Sequence, residues 1–211
     1  MMSAITLYNY DLDENCYRVR LLLSFLGLEY ETVAIDSVPG GEEKGPAMRA
    51  LNPLGTLPVM KDGATIFHGA EAILAHLART HDSEGAWLPL DPETFSGVMQ
   101  WTFFSASSIA AAVEARRVAL FGLPGDLAAL QASARAAFRI MDDFMTLRHF
   151  EDREWFAGEG PTIADLAMLP SFALSRDYGI DHDEFPALRR WLRRFRTLAG
   201  FRTMPGIPDY H

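Results

Sequence analysis

The chain has 211 residues, 49% hydrophobic and 22% charged, which suits one large globular domain or two small ones with a core that needs no covalent staples. A formal net charge of −9 and a pI near 5.1 exclude general nucleic-acid binding, which requires a cationic face. A single cysteine excludes internal disulfides and a cysteine-rich metal site, and with no basic segment before an apolar run at Met1-Met2-Ser3-Ala4 and no run of membrane-spanning length, a cytoplasmic protein without signal peptide, membrane partner or bound metal is expected.

The first predicted element is a strand over Ile5-Thr6-Leu7-Tyr8, where apolar and polar residues alternate. Asn9 to Glu14 is polar and turn-like, and Asp11, Asp13 and Asn15 are all able to cap a helix. The helix that follows carries Val19, Leu22, Leu23 and Leu26 at helical spacing, places Arg18 and Arg20 off that face, and stops at Gly27. Tyr30 to Ile35 is rich in residues that favour extension. Strand, helix, strand implies a parallel pair with a right-handed crossover. Ser37 to Gly45 reads as a loop, and Pro46 to Leu51 as one or two helical turns.

Asn52 to Leu77 is the most informative stretch: loop, short strand, tight hairpin at Asp62-Gly63, second short strand, then a helix from about Ala70. Pro58 stands first in a strand, where a missing N–H does no harm. A cis bond between Leu57 and Pro58 would turn the Leu57 N–H and C=O outward to pair with the backbone of a bound peptide. The free N–H groups at Ala70 and Glu71 would face a carboxylate.

His81 to Pro92 reads as a linker, and only helical periodicity follows. One long helix is expected from Glu93 to Phe121, a break at Gly122-Leu123-Pro124-Gly125, and a second helix from Asp126 to about His149 packed on the first. Thr162, with Asp165 three residues on, forms a capping box for the next helix. Leu188, Trp191, Leu192 and Phe195 mark the last helix, and Met204 to Pro208 is an extended tail.

The Leu57-Pro58-Val59 turn, the hairpin and the Ala72-Ile73 helix entry together resemble the second half of the glutathione-binding domain of the glutathione transferase superfamily. Trp155 to Gly158 with the Thr162/Asp165 box resembles the capping motif of that superfamily's helical domain. The resemblance covers essentially the whole chain. It implies an α/β thioredoxin-like N-terminal domain (residues 1–81), a linker (82–91) and an all-α C-terminal domain (92–211).

What it implies for function is a homodimeric enzyme that binds glutathione and adds its thiol to a small electrophile, with glutathione-dependent peroxidase or disulfide reductase chemistry as a variant. Such an enzyme favours thiolate with a donor aimed at sulfur near a helix N-terminus. Many members keep Ser or Cys at the place of Asp13, where a carboxylate would repel a thiolate. A bacterial Nu-type class uses Asn at the place of Asn15. The Asn15 amide or the Cys16 N–H would then be the donor, with Asn15 as a mere helix cap the competing reading. The Cys16 thiol is a nucleophile in a third reading and core packing in a fourth. Glutathione would lie along Thr56, Leu57 and Pro58, with its γ-glutamyl carboxylate at Ala70 and Glu71 and its glycine carboxylate near Lys44. Gly69 and Ala70 stand where the family keeps an acidic residue and a serine. That departure favours the alternative of a non-catalytic binding or scaffold protein on the same fold. Tyr10, Trp101, Phe104, Ser108 and Arg116 would line the second-substrate pocket, although an apolar stripe at helical spacing is usually core.

Overall fold

The structure is a computed structural model that describes residues 5–205 and 207. Strand β1 (Ile5–Asn9) alternates buried and half-buried residues, as a strand covered on one face must. Helix α1 (Glu14–Phe25) crosses from it to β2 (Tyr30–Ala34), which pairs with β1 in parallel. Strand β3 (Val59–Asp62) pairs antiparallel with β1 and β4 (Thr65–His68) antiparallel with β3, giving the order β2-β1-β3-β4. The hairpin turn falls on Gly63-Ala64, one residue later than expected. Asp62 pairs with Thr65 inside the ladder, and only Gly63, at φ 59°, takes the left-handed region that glycine tolerates. The Leu57-Pro58 bond is cis, as expected from its place, and Val38-Pro39 is cis as well.

Helix α2 (Pro46–Leu51) starts on proline, whose missing N–H would be unpaired there anyway. Its Met48 packs with Cys16, Ile35, Leu57 and Val59 in a small apolar cluster. Helix α3 (Ala70–Thr80) packs against α1. From Pro92 onward the described residues form helices and short 3-10 turns: α4 (Pro92–Ser107), α5 (Ala110–Phe121), α6 (Leu127–Phe150), α7 (Ile163–Ala173) and α8 (Pro186–Arg196). Every residue of α7 is buried, and it touches α1, α3, α4 and α8, so it is the axle of the molecule. The thioredoxin-like half followed by an all-helical half is the fold class the sequence predicts. The start at Met1 to Ala4 lies outside the described residues, as do Gly206 and Pro208 of the expected tail.

Two further expectations are corrected. The predicted single helix from Glu93 to Phe121 is two helices, α4 and α5, broken at Ser108-Ile109. Ser107 Oγ competes with the ladder there, donating back to Phe103 O at 2.8 Å, while Ser105 Oγ donates across to Ala167 O of α7 at 3.0 Å. The break lets Ile109 turn fully into the core. Arg18, expected on the open face of α1, is 2% exposed, because carboxylate and hydroxyl partners from α3 and α7 meet it inside.

Candidate functional site

The register of the sheet brings four segments to one end. Tyr8 pairs with Val59, Asn9 with Ala34 and Val59 with His68. The exit of β1 into α1, the exit of β2 toward the 3-10 turn at Glu42–Lys44, the entry of β3 at Pro58 and the exit of β4 into α3 therefore share one edge. Among the described residues, the N–H and C=O of Leu57 have no partner there, nor do the N–H groups of Ala70 and Glu71 at the start of α3. The edge thus offers a backbone donor–acceptor pair beside the positive end of a helix dipole, which suits a peptide carrying a carboxylate.

The turn that presents Leu57 is built by Asn52, which is 1% exposed. Its amide donates to Thr56 O at 2.8 Å and Thr56 Oγ1 at 3.0 Å, and its carbonyl oxygen accepts from Leu54 N at 3.0 Å. Arg49 braces the same turn, with Nε to Lys44 O at 2.8 Å and Nη1 to Pro53 O at 3.2 Å. Its guanidinium lies where a Cβ on Gly55 would come within 3.3 Å, and Gly55 sits at φ 62°. Thr56 is exposed beside this turn, while Leu57 and Pro58 are buried. Neither Asn52 nor Arg49 was singled out from the sequence, although Asn before Pro followed by Leu-Gly is an Asx-turn signal.

At the start of α1, the cap is Asp13, not Asn15: Asp13 Oδ1 accepts from Cys16 N at 2.8 Å. The Cys16 N–H is therefore taken and offers nothing to a ligand sulfur in this structure. Cys16 itself is 0% exposed, and burial first, then the Asp13 carboxylate, hold its thiol well above its ordinary pKa, the reverse of what a nucleophile needs. Asn15, half-buried in the first turn, has no hydrogen-bond partner on its amide among the described residues. The loop leading to it is pinned by Asn9, whose amide donates to Asp11 Oδ1 at 2.7 Å, and by Arg20, which donates to Asn9 Oδ1 and, at 2.9 Å, to Asp11 O.

Lys44 is mostly exposed, 3.8 Å from Glu43 Oε1. Ala70 is buried at the helix entry, and the Glu71 side chain turns inward, where Arg18 Nη1 donates to its Oε1 at 2.8 Å. Arg18 also donates to Ser171 Oγ at 3.2 Å, and Ser171 donates to Glu14 Oε1 at 3.0 Å. Burial raises the pKa of Glu14 above the ordinary carboxylate range, against the opposing pull of Arg18 and Arg116. This chain of groups locks α1 and α3 onto α7.

The residues expected in the second pocket divide. Tyr10 and Arg116 flank a small cleft at the mouth of α1 together with Leu12, Val113, Arg117 and Phe121. The Tyr10 hydroxyl lies 3.4 Å from Val38 O, and burial, then Asp36, raises its pKa. Arg116 is committed: Nε donates to Asp177 at 2.7 Å and Nη1 to Leu12 O at 2.6 Å. Trp101 is not a pocket wall. It is 5% exposed and packs on Phe104, Phe144 and Phe156 with ring centroids 5.2, 4.6 and 4.7 Å away. Phe104 is half-buried in that cluster, and Ser108 is exposed at the end of α4. Trp101 and Phe104, two apolar positions one helical turn apart, face the core.

Comparison with known proteins places this geometry. Residues 7–85 match the family model "Glutathione S-transferase, N-terminal domain", and residues 99–199 match "Glutathione S-transferase, C-terminal domain". The chain is 25% identical over 195 residues to glutathione S-transferase D7 of Drosophila melanogaster, covering 91% of this chain and 84% of that one. It is 28% identical over 212 residues to the maleylacetoacetate isomerase of Rhizobium meliloti, covering 96% of each. A solved glutathione S-transferase from Pseudomonas fluorescens superposes with a TM-score of 0.85 at 28% identity, covering 96% of this chain and all of that one.

Proposed function

The chain belongs to the glutathione S-transferase superfamily, and from that footing we propose that it binds reduced glutathione at the sheet edge and uses its sulfur on an electrophile. The unpaired N–H and C=O of Leu57 carry this reading. They would take the backbone of the cysteinyl residue as one more antiparallel strand, while the N–H groups of Ala70 and Glu71 receive the γ-glutamyl carboxylate. Thr56 lies alongside and Lys44 reaches the glycine carboxylate. The Asn15 amide, with no partner of its own, donates to the sulfur and favours thiolate. The thiolate forms the new bond from sulfur to carbon, and the leaving group departs with the displaced electron pair. Cys16 supports the turn from below and takes no part in the chemistry. The electrophile docks in the cleft at Tyr10 and Phe121. The glutathione-binding unit ends in the linker at 82–91, and the protein acts in the cytoplasm.

A second reading, a binding or scaffold protein without turnover, is favoured by Gly69 and Ala70 in place of the acidic-Ser pair and by the Asp13 carboxylate near the sulfur position. Turnover separates the two. With reduced glutathione and a panel of aryl halides, hydroperoxides and mixed disulfides, the enzyme reading expects turnover above the uncatalysed rate with one class at least. Binding without turnover on any of them supports the scaffold.

The chain is also proposed to be a homodimer. Phe95 and Phe103 are 37% and 70% exposed on one face of α4, and Leu147 and Phe150 are 63% and 80% exposed late in α6. Light scattering at micromolar concentration is expected to give twice the 23.5 kDa chain mass. A monomer alone would contradict the assembly.

A further inference from the structure

Strand β3 begins at the proposed glutathione edge with Val59 and ends, three residues later, at Asp62. There the last turns of α3 bring two imidazoles to the same carboxylate. His76 Nε2 and His81 Nε2 each lie 2.8 Å from Oδ2 of Asp62. The three ligand atoms are all within 4.8 Å of one another. The Asp62 side chain is 7% exposed, and the two histidines are 21% and 19% exposed, so the cluster is sheltered but reachable.

We propose that Asp62, His76 and His81 form a site for one divalent transition-metal ion, with zinc the best match. The sequence reading expects no metal. The first argument is donor chemistry. Two neutral imidazoles and a carboxylate suit zinc better than the all-oxygen cations calcium and magnesium. The second is spacing. Bonds of 2.0–2.1 Å in a tetrahedral shell place neighbouring donors roughly 3.3 Å apart; the two imidazole nitrogens each lie 2.8 Å from Asp62 Oδ2, and no pair of the three atoms is farther apart than 4.8 Å, so small side-chain shifts reach that spacing. The third is orientation. The His76 ring is held by stacking on Phe67, with centroids 4.0 Å apart. Its Nδ1 lies 3.4 Å from Thr80 Oγ1, so when Nε2 binds an ion the proton on Nδ1 has an acceptor. The fourth is field. His81 is the C-cap of α3, and the negative end of a helix dipole favours a cation. Three protein ligands and exposed ring edges leave a further coordination position for water. An ion here would fasten the β3–β4 hairpin to the end of α3, at the opposite end of β3 from Leu57, so the site stands or falls apart from the glutathione reading.

Titration calorimetry with zinc chloride alone, without glutathione, which itself binds zinc, reads the site. The expected result is saturable binding of one ion per chain, weakened about a hundred-fold in His76→Gln and in His81→Gln. His149→Gln, which alters an exposed histidine far along α6, should bind as the natural chain does. X-ray absorption of the zinc-loaded natural chain should show two imidazoles with oxygen and no sulfur, and it decides the matter if a histidine variant loses its fold by circular dichroism. No saturable binding, binding unchanged in both folded variants, or a shell with sulfur or fewer than two imidazoles would overturn the proposal and leave a hydrogen-bonded clamp.

Discussion

Replacing Asp165 with alanine is expected to destabilise the fold by roughly 4 kcal/mol, a large share of the stability of a chain this size. Asp165 is fully buried at the start of α7. Its Oδ1 accepts from Phe156 N at 3.0 Å and from Trp191 Nε1 at 3.1 Å, and its Oδ2 accepts from Thr162 N and Thr162 Oγ1, each at 3.0 Å. Alanine would strand four buried donors, and each buried donor left unpaired costs about 1–3 kcal/mol, partly relieved by entering water and local shifts. The carboxylate also ties α7 to α8 and to the segment before it, so the loss spreads through the helical half. Urea unfolding at neutral pH measures it. Asp165→Asn, which keeps an acceptor for Phe156 and Trp191 but turns an NH2 toward the Thr162 donors, should fall between alanine and the natural chain. A loss below about 1 kcal/mol in the alanine variant would mean that the cap is not the structural knot described here.

The second large effect concerns the sulfur. Asn15→Ala removes one hydrogen bond to a charged group, worth roughly 1.5–3 kcal/mol, and is expected to lower turnover about ten- to a hundred-fold with little change in stability. Cys16→Ser is expected to keep most of the turnover. Its side chain is packed under Leu57 and Val59, and its N–H is already held by Asp13. Steady-state rates of both variants on one hydroperoxide and one disulfide test this. Full turnover in Asn15→Ala, or abolished turnover in a folded Cys16→Ser, contradicts the assignment.

Patterns of short range were legible in the sequence. The alternation of Ile5 to Tyr8, the hairpin near Gly63, the proline at the head of β3 and the box of Thr162 and Asp165 are set within a few residues, and all stand in the structure. What depends on distant partners was not legible. Arg18 reads as a surface residue by helical spacing alone; only Glu71, 53 residues on, and Ser171, 153 residues on, explain its burial. Three residues at the α1 entry had capping chemistry, and it took the geometry to assign Asp13. Trp101 reads as a pocket candidate although such a stripe is usually core, and it is Phe144 and Phe156 beside it that explain its burial. The meeting of Asp62, His76 and His81 likewise depends on how α3 folds back along β3.

The central claim, that the sheet edge at Leu57 and the start of α3 receive glutathione, is tested most directly by titration calorimetry of the natural chain with reduced glutathione. The account predicts saturable binding of one molecule per chain. It also predicts that γ-glutamylcysteine, which lacks only the glycine, binds more weakly but still measurably, because the backbone of Leu57 and the N–H groups of Ala70 and Glu71 hold the part that remains. No saturable heat with glutathione at millimolar concentration would contradict it.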